Sequence, residues 1–346
     1  MIISRTPLRL SFVGGGTDLP AFYRAHGGAV VSTAVDKYVY VTVNTKFDHR
    51  IRASYSITEI VDAVKDLKHE LIREGLRLLG FEGGVEITTM SDIPSEGTGL
   101  GSSSSHTVGL LNALHAYLGH HADGQRLAEE ACEIELGRCS KPIGKQDQYI
   151  AAFGGLQHIQ FNHDDSVYVD PVILTPETKQ RLHSHLLLLY TGHTRSANTI
   201  LYEQTRRMES SPDVVANGML LKKLAEEFLA ELKKGQLDSL GEIMHRAWLA
   251  KKQLAPGISN PLIDSWYDRA RDHGAIGGKI LGAGGGGFLL VWAHPTLHPA
   301  IIRALPDLRP VPFGFEAQGS KIVYVEEANS MATRHRIAVR GVDGGV

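Results

Sequence analysis

Pro94-Ser95-Glu96-Gly97-Thr98-Gly99-Leu100-Gly101-Ser102-Ser103-Ser104-Ser105 is a run of small and hydroxyl-bearing residues set directly before a helical pattern. Val108, Leu111, Leu114 and Leu118 recur downstream at helical spacing, with Leu110 widening the apolar stripe. Upstream, Val85 to Thr89 reads as a strand. A strand, a glycine loop and a helix in that order present backbone N–H groups, unblocked by side chains, at the positive end of the helix. That is an anion site, most naturally a phosphate site. The chain contains no G-x-x-x-x-G-K-[ST], so nucleotide phosphates would be bound by a route other than the Walker loop.

Outward from that loop the chain reads as α+β. Leu8 to Val13 and Ala29 to Val43 read as strands, the second broken by Asp36-Lys37. Asp62 to Leu79 and Gln125 to Gly137 read as helices, and Leu156 to Phe161 as a strand. The polar stretch from Asn162 to Thr178 suggests a boundary, giving domains at 1–170 and 171–346. Beyond it a strand is expected at Leu186 to Tyr190 and helices at Asp213 to Lys234, Leu237 to Lys252 and Pro261 to His273. Lys279 to Leu281 and Phe288 to Trp292 read as strands around a glycine turn, and Ile322 to Val325 as a late strand.

The 346 residues suit roughly two domains, with 42% hydrophobic residues to build their cores. A net charge of -2 gives no bulk argument for nucleic acid or an anionic membrane as partner. Cys132 and Cys139 read as reduced packing residues of a cytoplasmic protein. The N-terminus lacks a signal-peptide pattern, and the apolar run Leu186 to Tyr190 is too short to cross a bilayer. The 17 histidines show no metal spacing, and the serine run lacks the G-x-S-x-G elbow of a hydrolase.

Two further glycine clusters flank the first: Gly14-Gly15-Gly16 and Gly282-Ala283-Gly284-Gly285-Gly286-Gly287. The last holds a formal G-x-G-x-x-G, but a strand-like run follows it where a dinucleotide fingerprint needs a helix. A hairpin that lets another backbone approach closely fits better. Together the clusters resemble the GHMP kinase superfamily. Pro7-Leu8-Arg9 with Gly14 to Asp18 is similar to its first motif, Pro94 to Ser105 to its second and Lys279 to Gly287 to its third. The three occur in order, and the resemblance covers essentially the whole chain. Within the superfamily, Leu10 to Pro20, Gly101 to Ser105, Val35-Asp36-Lys37-Tyr38, Gly144 to Tyr149 and Tyr190-Thr191-Gly192 resemble the bacterial D-glycero-D-manno-heptose 7-phosphate kinases. The Glu-His pair of galactokinases is absent from Gly14-Gly15-Gly16, which argues for a different sugar.

The resemblance implies a two-domain GHMP kinase-like fold with its active site between the domains, ATP as donor and Mg2+ as metal. It implies phosphorylation of the anomeric hydroxyl of a heptose 7-phosphate, feeding nucleotide-activated heptose for surface polysaccharide. Gly97, Gly99, Leu100, Gly101, Ser102, Ser103, Ser104 and Ser105 would cradle the nucleotide phosphates. Ser103 and Glu135 would ligate the metal. Glu135 by itself reads as a solvated helix residue, and Glu133 is the fallback. Asp147 would orient or deprotonate the acceptor hydroxyl. Arg9 interrupts an apolar strand, where a charge is costly unless paired. It matches the family's first-motif cation, and the resemblance thereby assigns it to the transferring phosphoryl group and to Asp147, with a purely structural Arg9–Asp147 ion pair as the alternative. Gly15, Gly16, Thr17, Asp18, Gly284 and Gly285 would meet the sugar. Lys37, Arg52 and Arg195 are the candidate cations for its phosphate, with Arg195 at an expected strand end. A homodimer is left open. The alternatives are a fucose or galactose 1-kinase, an isoprenoid-alcohol kinase, and a non-catalytic sugar or nucleotide sensor.

Overall fold

The computed structural model describes residues 1–94, 97–193 and 197–326. The first half of the chain runs β1 (Ile2–Val13), α1 (Pro20–His26), β2 (Gly28–Thr45), β3 (Ile51–Ser54), β4 (Thr58–Val61), α2 (Glu70–Leu78) and β5 (Val85–Ser91). It continues through α3 (Ser102–Tyr117), α4 (Gly124–Cys132), α5 (Gln146–Phe153), β6 (Leu156–Phe161) and β7 (Val167–Pro171). The second half runs α6 (Pro176–Ser184), β8 (Leu186–Tyr190), α7 (Ala197–Ser210), α8 (Pro212–Lys233), α9 (Leu240–Lys252) and α10 (Pro261–Asp272). It ends with β9 (Gly277–Ile280), β10 (Phe288–Trp292), α11 (His298–Ala304), β11 (Arg309–Pro310) and β12 (Lys321–Val325).

The first sheet has the strand order β12-β1-β2-β5-β3-β4, with β6 and β7 added along the start of β2. β2 is long because it serves two partners on one side: Gly28 to Thr33 pairs with β6, and Val39 to Thr45 with β5. The strand continues past Asp36-Lys37, where the sequence suggested a break, but those two residues bulge out of its ladder with β1. β12 returns from the second half to pair with β1. The second sheet, β11-β8-β10-β9, is antiparallel throughout. The stretch from Asn162 to Thr178 is not irregular: it holds β7 and the start of α6. Asp62 to Leu79 is a single turn of tighter helix, Val64 to Asp66, followed by α2.

One continuous core runs through both halves. Phe12 on β1 stacks on Phe228 of α8, ring centroids 5.4 Å apart, so the second half is packed directly onto the first sheet. The register of β1 against β2 shifts between Pro7 and Leu8. After that shift Leu10 and Phe12 join the core. Arg9 and Ser11, the alternate residues, share the other face of the strand. α3 lies on β1 closely enough for Ser4 Oγ to donate to the Gly109 carbonyl at 2.7 Å.

Candidate active site

The serine-rich loop ends at Gly101, whose φ of 75° caps α3 in the left-handed region, with no side chain capping the first amides of the helix. Those amides are free to meet an anion. A side chain at Gly101 would start 3.3 Å from both Arg9 Cγ and Asp147 Oδ2, so the loop rests on the charged pair beneath it. From above, the glycine hairpin between β9 and β10 closes on the loop. A Cβ on Gly99 would strike the Leu281 carbonyl, and one on Gly282 would lie 2.6 Å from Gly99 Cα. The third glycine cluster thus supports the first loop backbone to backbone, as the hairpin reading required.

Arg9 is 4% exposed and is held on three sides. Its Nε and Nη2 donate to Asp147 Oδ1 and Oδ2, both at 2.7 Å, and Nη1 donates to the Gly99 carbonyl. This is the bidentate geometry for which arginine is suited. Asp147 lies in the first turn of α5. Asp18 links the Gly14–Gly16 loop to the same helix, accepting from Gly16 N at 2.8 Å and from Gln146 N at 3.3 Å. Burial raises the pKa of Asp18, opposed by the Gly16 amide.

Glu135 is fully buried. α4 passes into a wider π-helical turn, Glu133–Arg138, which lets Glu135 face inward while Glu133 stays outside, paired with Arg138. Ser103 Oγ donates to Glu135 Oε1 at 3.2 Å, Ser104 Oγ at 2.7 Å to Oε2 and Thr107 Oγ1 at 3.1 Å to Oε1; Gln148 Nε2 donates as well. Burial pushes the Glu135 carboxyl up, and Lys141 and these donors act against it. A carboxylate and a hydroxyl 3.2 Å apart form a hard-oxygen pair of the kind a Mg2+ ion takes, so the residues fit that metal. Glu133, the fallback, is not part of the pair.

Beside these groups lies a cleft of about 510 Å³, and Glu135, fully buried behind Ser103, is not among the residues that line it. Arg9, Gly16, Asp18, Gly97, Gly99, Gly101, Ser102, Ser103, Ser104 and Asp147 face it. Several expected contacts do not. Thr17 is buried and bonds the Gly14 and Ala29 carbonyls. Ser105 Oγ donates to the Pro7 carbonyl, and Leu100 is in the core. Gly285 N donates to the Ile258 carbonyl at 3.0 Å, and Gly284 packs against the Ile258 backbone. Lys37 pairs with Asp36, and Arg52 pairs with Glu86 on the first sheet. Arg195 lies outside the described residues.

The sequence reading passed over Lys251, Lys279, Gln204 and Lys141. Lys141 and Lys251 line the cleft. Lys251 and Lys279 are each 5% exposed, and burial lowers their pKa values to about 8 and about 7. Lys279 had a legible signal: it interrupts the buried run Gly277 to Leu281, as Arg9 interrupts β1. Lys251 had none, being one basic residue among several on an amphipathic helix.

Residues 59–155 match the family described as GHMP kinases N terminal domain, and residues 228–309 match GHMP kinases C terminal, together more than half of the chain. The chain belongs to the GHMP kinases. Within that family its likeness lies with the sugar kinases. It is 29% identical, over 88% of its length and 93% of the relative's, to a D-glycero-alpha-D-manno-heptose 7-phosphate kinase of Campylobacter jejuni. A structure titled as a D-glycero-D-manno-heptose 1-phosphate kinase from Bacteroides thetaiotaomicron superposes with a TM-score of 0.78 and 26% identity, covering 94% of this chain and 100% of that one. An L-fucokinase/L-fucose-1-P guanylyltransferase of Bacteroides fragilis is 27% identical over 90% of this chain, which matches 37% of that larger protein. GHMP kinases use ATP as phosphoryl donor. No helix among the described residues is long and apolar enough to cross a membrane.

Proposed function

We propose that this kinase transfers the γ-phosphoryl group of ATP to the anomeric hydroxyl of D-glycero-D-manno-heptose 7-phosphate, giving the 1,7-bisphosphate. The observation that carries the chemistry is the bidentate Arg9–Asp147 pair, set between the phosphate loop on one side and Gly16 and Asp18 on the other. A phosphoryl donor on the loop and an acceptor beside Asp18 would meet over that pair, between lobes at 1–170 and 171–346. The choice of heptose is supported by two similar proteins, and that of the 7-phosphate by the name of the Campylobacter jejuni relative, the other being titled as a heptose 1-phosphate kinase.

In this reading the amides at the start of α3 hold the nucleotide phosphates. Asp147 Oδ2, on the face toward Gly101, takes the proton of the acceptor hydroxyl as its oxygen attacks the γ-phosphorus. The bond to the β-phosphate oxygen breaks, ADP leaves, and the proton on Asp147 passes to solvent. Arg9 fixes the carboxylate and places positive charge beside the phosphoryl group in transfer. Ser103 and Glu135 would hold Mg2+, which when bound neutralises phosphate charge. Asp18 accepts a hydrogen bond from the sugar.

The test is a coupled ADP-release assay with heptose 7-phosphate, free heptose, fucose, galactose and mevalonate. Strong preference for heptose 7-phosphate is expected. Equal use of free and phosphorylated heptose would overturn the acceptor assignment. Preference for fucose would establish the second reading, a fucose-type 1-kinase, which the Bacteroides fragilis relative favours. No turnover of any acceptor would leave the sensor.

A further inference from the structure

Beyond Asp18, a cluster of buried polar side chains surrounds Gly15 and Gly16. A side chain at Gly15 would start 3.4 Å from Ser11 Oγ, 3.5 Å from Gln146 Nε2 and 3.9 Å from Lys279 Nζ. One at Gly16 would start 2.6 Å from Gln204 Nε2 and 3.1 Å from Lys251 Nζ. The two glycines therefore let five polar side chains from β1, α5, α7, α9 and β9 pack directly against the backbone, with Lys251 at the edge of the cleft. The convergence accounts for Gly16, since a Cβ there would strike Gln204.

The polar atoms there are only partly satisfied. Lys251 Nζ donates to Gln204 Oε1 at 3.3 Å. Gln204 Nε2, Ser11 Oγ and Gln146 Oε1 are buried with no hydrogen-bond partner among the described residues. Lys279 has no carboxylate in ion-pairing distance among them. Unpaired buried donors cost stability, and two ammonium groups sharing one cluster cost more. Lys251, Arg9 and burial all depress the charge on Lys279, while Asp18 is the acid that favours it. A chain that keeps such an arrangement has a ligand for it, and donors around a pair of cations fit a compact anion rather than a neutral hydroxyl.

We propose that Lys251, which lines the cleft, and Lys279, Ser11 and Gln204, which pack beside it, form a receptor for a phosphate dianion at the acceptor side of the cleft. Two groups carry that charge into it: the acceptor's own phosphate, which rests on the function proposed above, and the phosphoryl group on its way from ATP. Both have the same chemistry, and kinetics separate them.

The experiment compares the wild-type protein with Lys251→Met and Lys279→Met, and with Lys251→Gln and Lys279→Gln as second variants should either methionine form fail to melt cooperatively. Binding of inorganic phosphate without nucleotide is measured by calorimetry, followed by steady-state kinetics with ATP and heptose 7-phosphate. Each substitution is expected to weaken phosphate binding at least tenfold and to raise the acceptor KM by about 30-fold or more, the scale of losing one partner of a buried charge pair, with the ATP KM within twofold. An unchanged acceptor KM with a similar fall in kcat would also support the receptor and assign it to the phosphoryl group in transfer. Phosphate affinity and all steady-state constants within twofold of wild type would overturn it. If the wild type used free heptose equally well, the acceptor assignment would fail by itself, and phosphate binding by the variants would still decide the receptor.

Discussion

The two halves of the cleft are built in different ways. The donor half is local: Gly97 to Ser104 is a single run of chain, and it presents mainly backbone amides at one helix end. The half we propose for the acceptor is assembled from distant pieces: Asp18 near the start of the chain, Gln146 in the middle and Lys251 in the second half line it, with Ser11, Gln204 and Lys279 packed beside them. A nucleotide's phosphates are the same in every relative, so a backbone cradle serves them all. An acceptor changes from one enzyme to the next, and side chains from separate elements can be exchanged without disturbing the fold.

The Arg9–Asp147 pair joins the halves, and breaking it should have the largest effect. Asp147→Asn keeps the shape and removes the proton acceptor, so kcat is expected to fall by about 10²–10⁴-fold while a nucleotide analogue binds nearly as before. Retention of most turnover under saturating substrates would remove Asp147 from the mechanism. Gly101→Val comes next. A β-branched residue at a φ of 75° is strained and would press on Arg9 and Asp147. ATP affinity should drop by about 10–100-fold, from a strain of roughly 1–3 kcal/mol. Unchanged affinity in a folded variant would move the donor phosphates elsewhere.

Glu135→Gln sharpens the donor side. The Mg2+ concentration for half-maximal rate should rise about tenfold or more, the usual scale for weakening a metal site. A titration curve lying on the wild-type one would mean that Glu135 only braces Ser103, Ser104 and Thr107. pH sharpens the acceptor side. Lys279 and Lys251 are charged below about 7 and about 8 in the free protein and lose that charge as pH rises. Asp18 and Arg9 are the other charged groups that face them. Since a sugar phosphate is dianionic above about pH 6, kcat/KM for the acceptor should fall severalfold between pH 7 and 9, with kcat/KM for ATP much flatter. Parallel profiles for both substrates would detach the lysines from the acceptor. The smallest effect belongs to Lys37→Ala and Arg52→Ala. Both residues pair with neighbouring carboxylates away from the cleft, so both KM values should stay within twofold. A tenfold rise in acceptor KM for either would redraw the acceptor half.

The α+β class, the glycine–serine loop set before a helix and the charge in the first apolar strand were all legible in the sequence, because each of these is written in neighbouring residues. Arg9 was legible since a guanidinium in Leu8 to Val13 needs a partner, and Gly97 to Ser105 since small residues before a helical stripe leave amides bare. Tertiary structure alone decided the rest. β2 continues past Asp36-Lys37 because the segments on either side of those two residues are paired, while the two themselves bulge out of the β1 ladder, which no local propensity records. Glu135 turns inward through a π-helical turn that helical spacing does not foresee. Lys37 and Arg52 looked as available as Lys251, and only packing showed which charges have an acid beside them on the surface and which are buried around Gly15 and Gly16. Charge and periodicity are properties of a segment. Desolvation and partnership are properties of the folded neighbourhood, and those are what make a lysine part of a site.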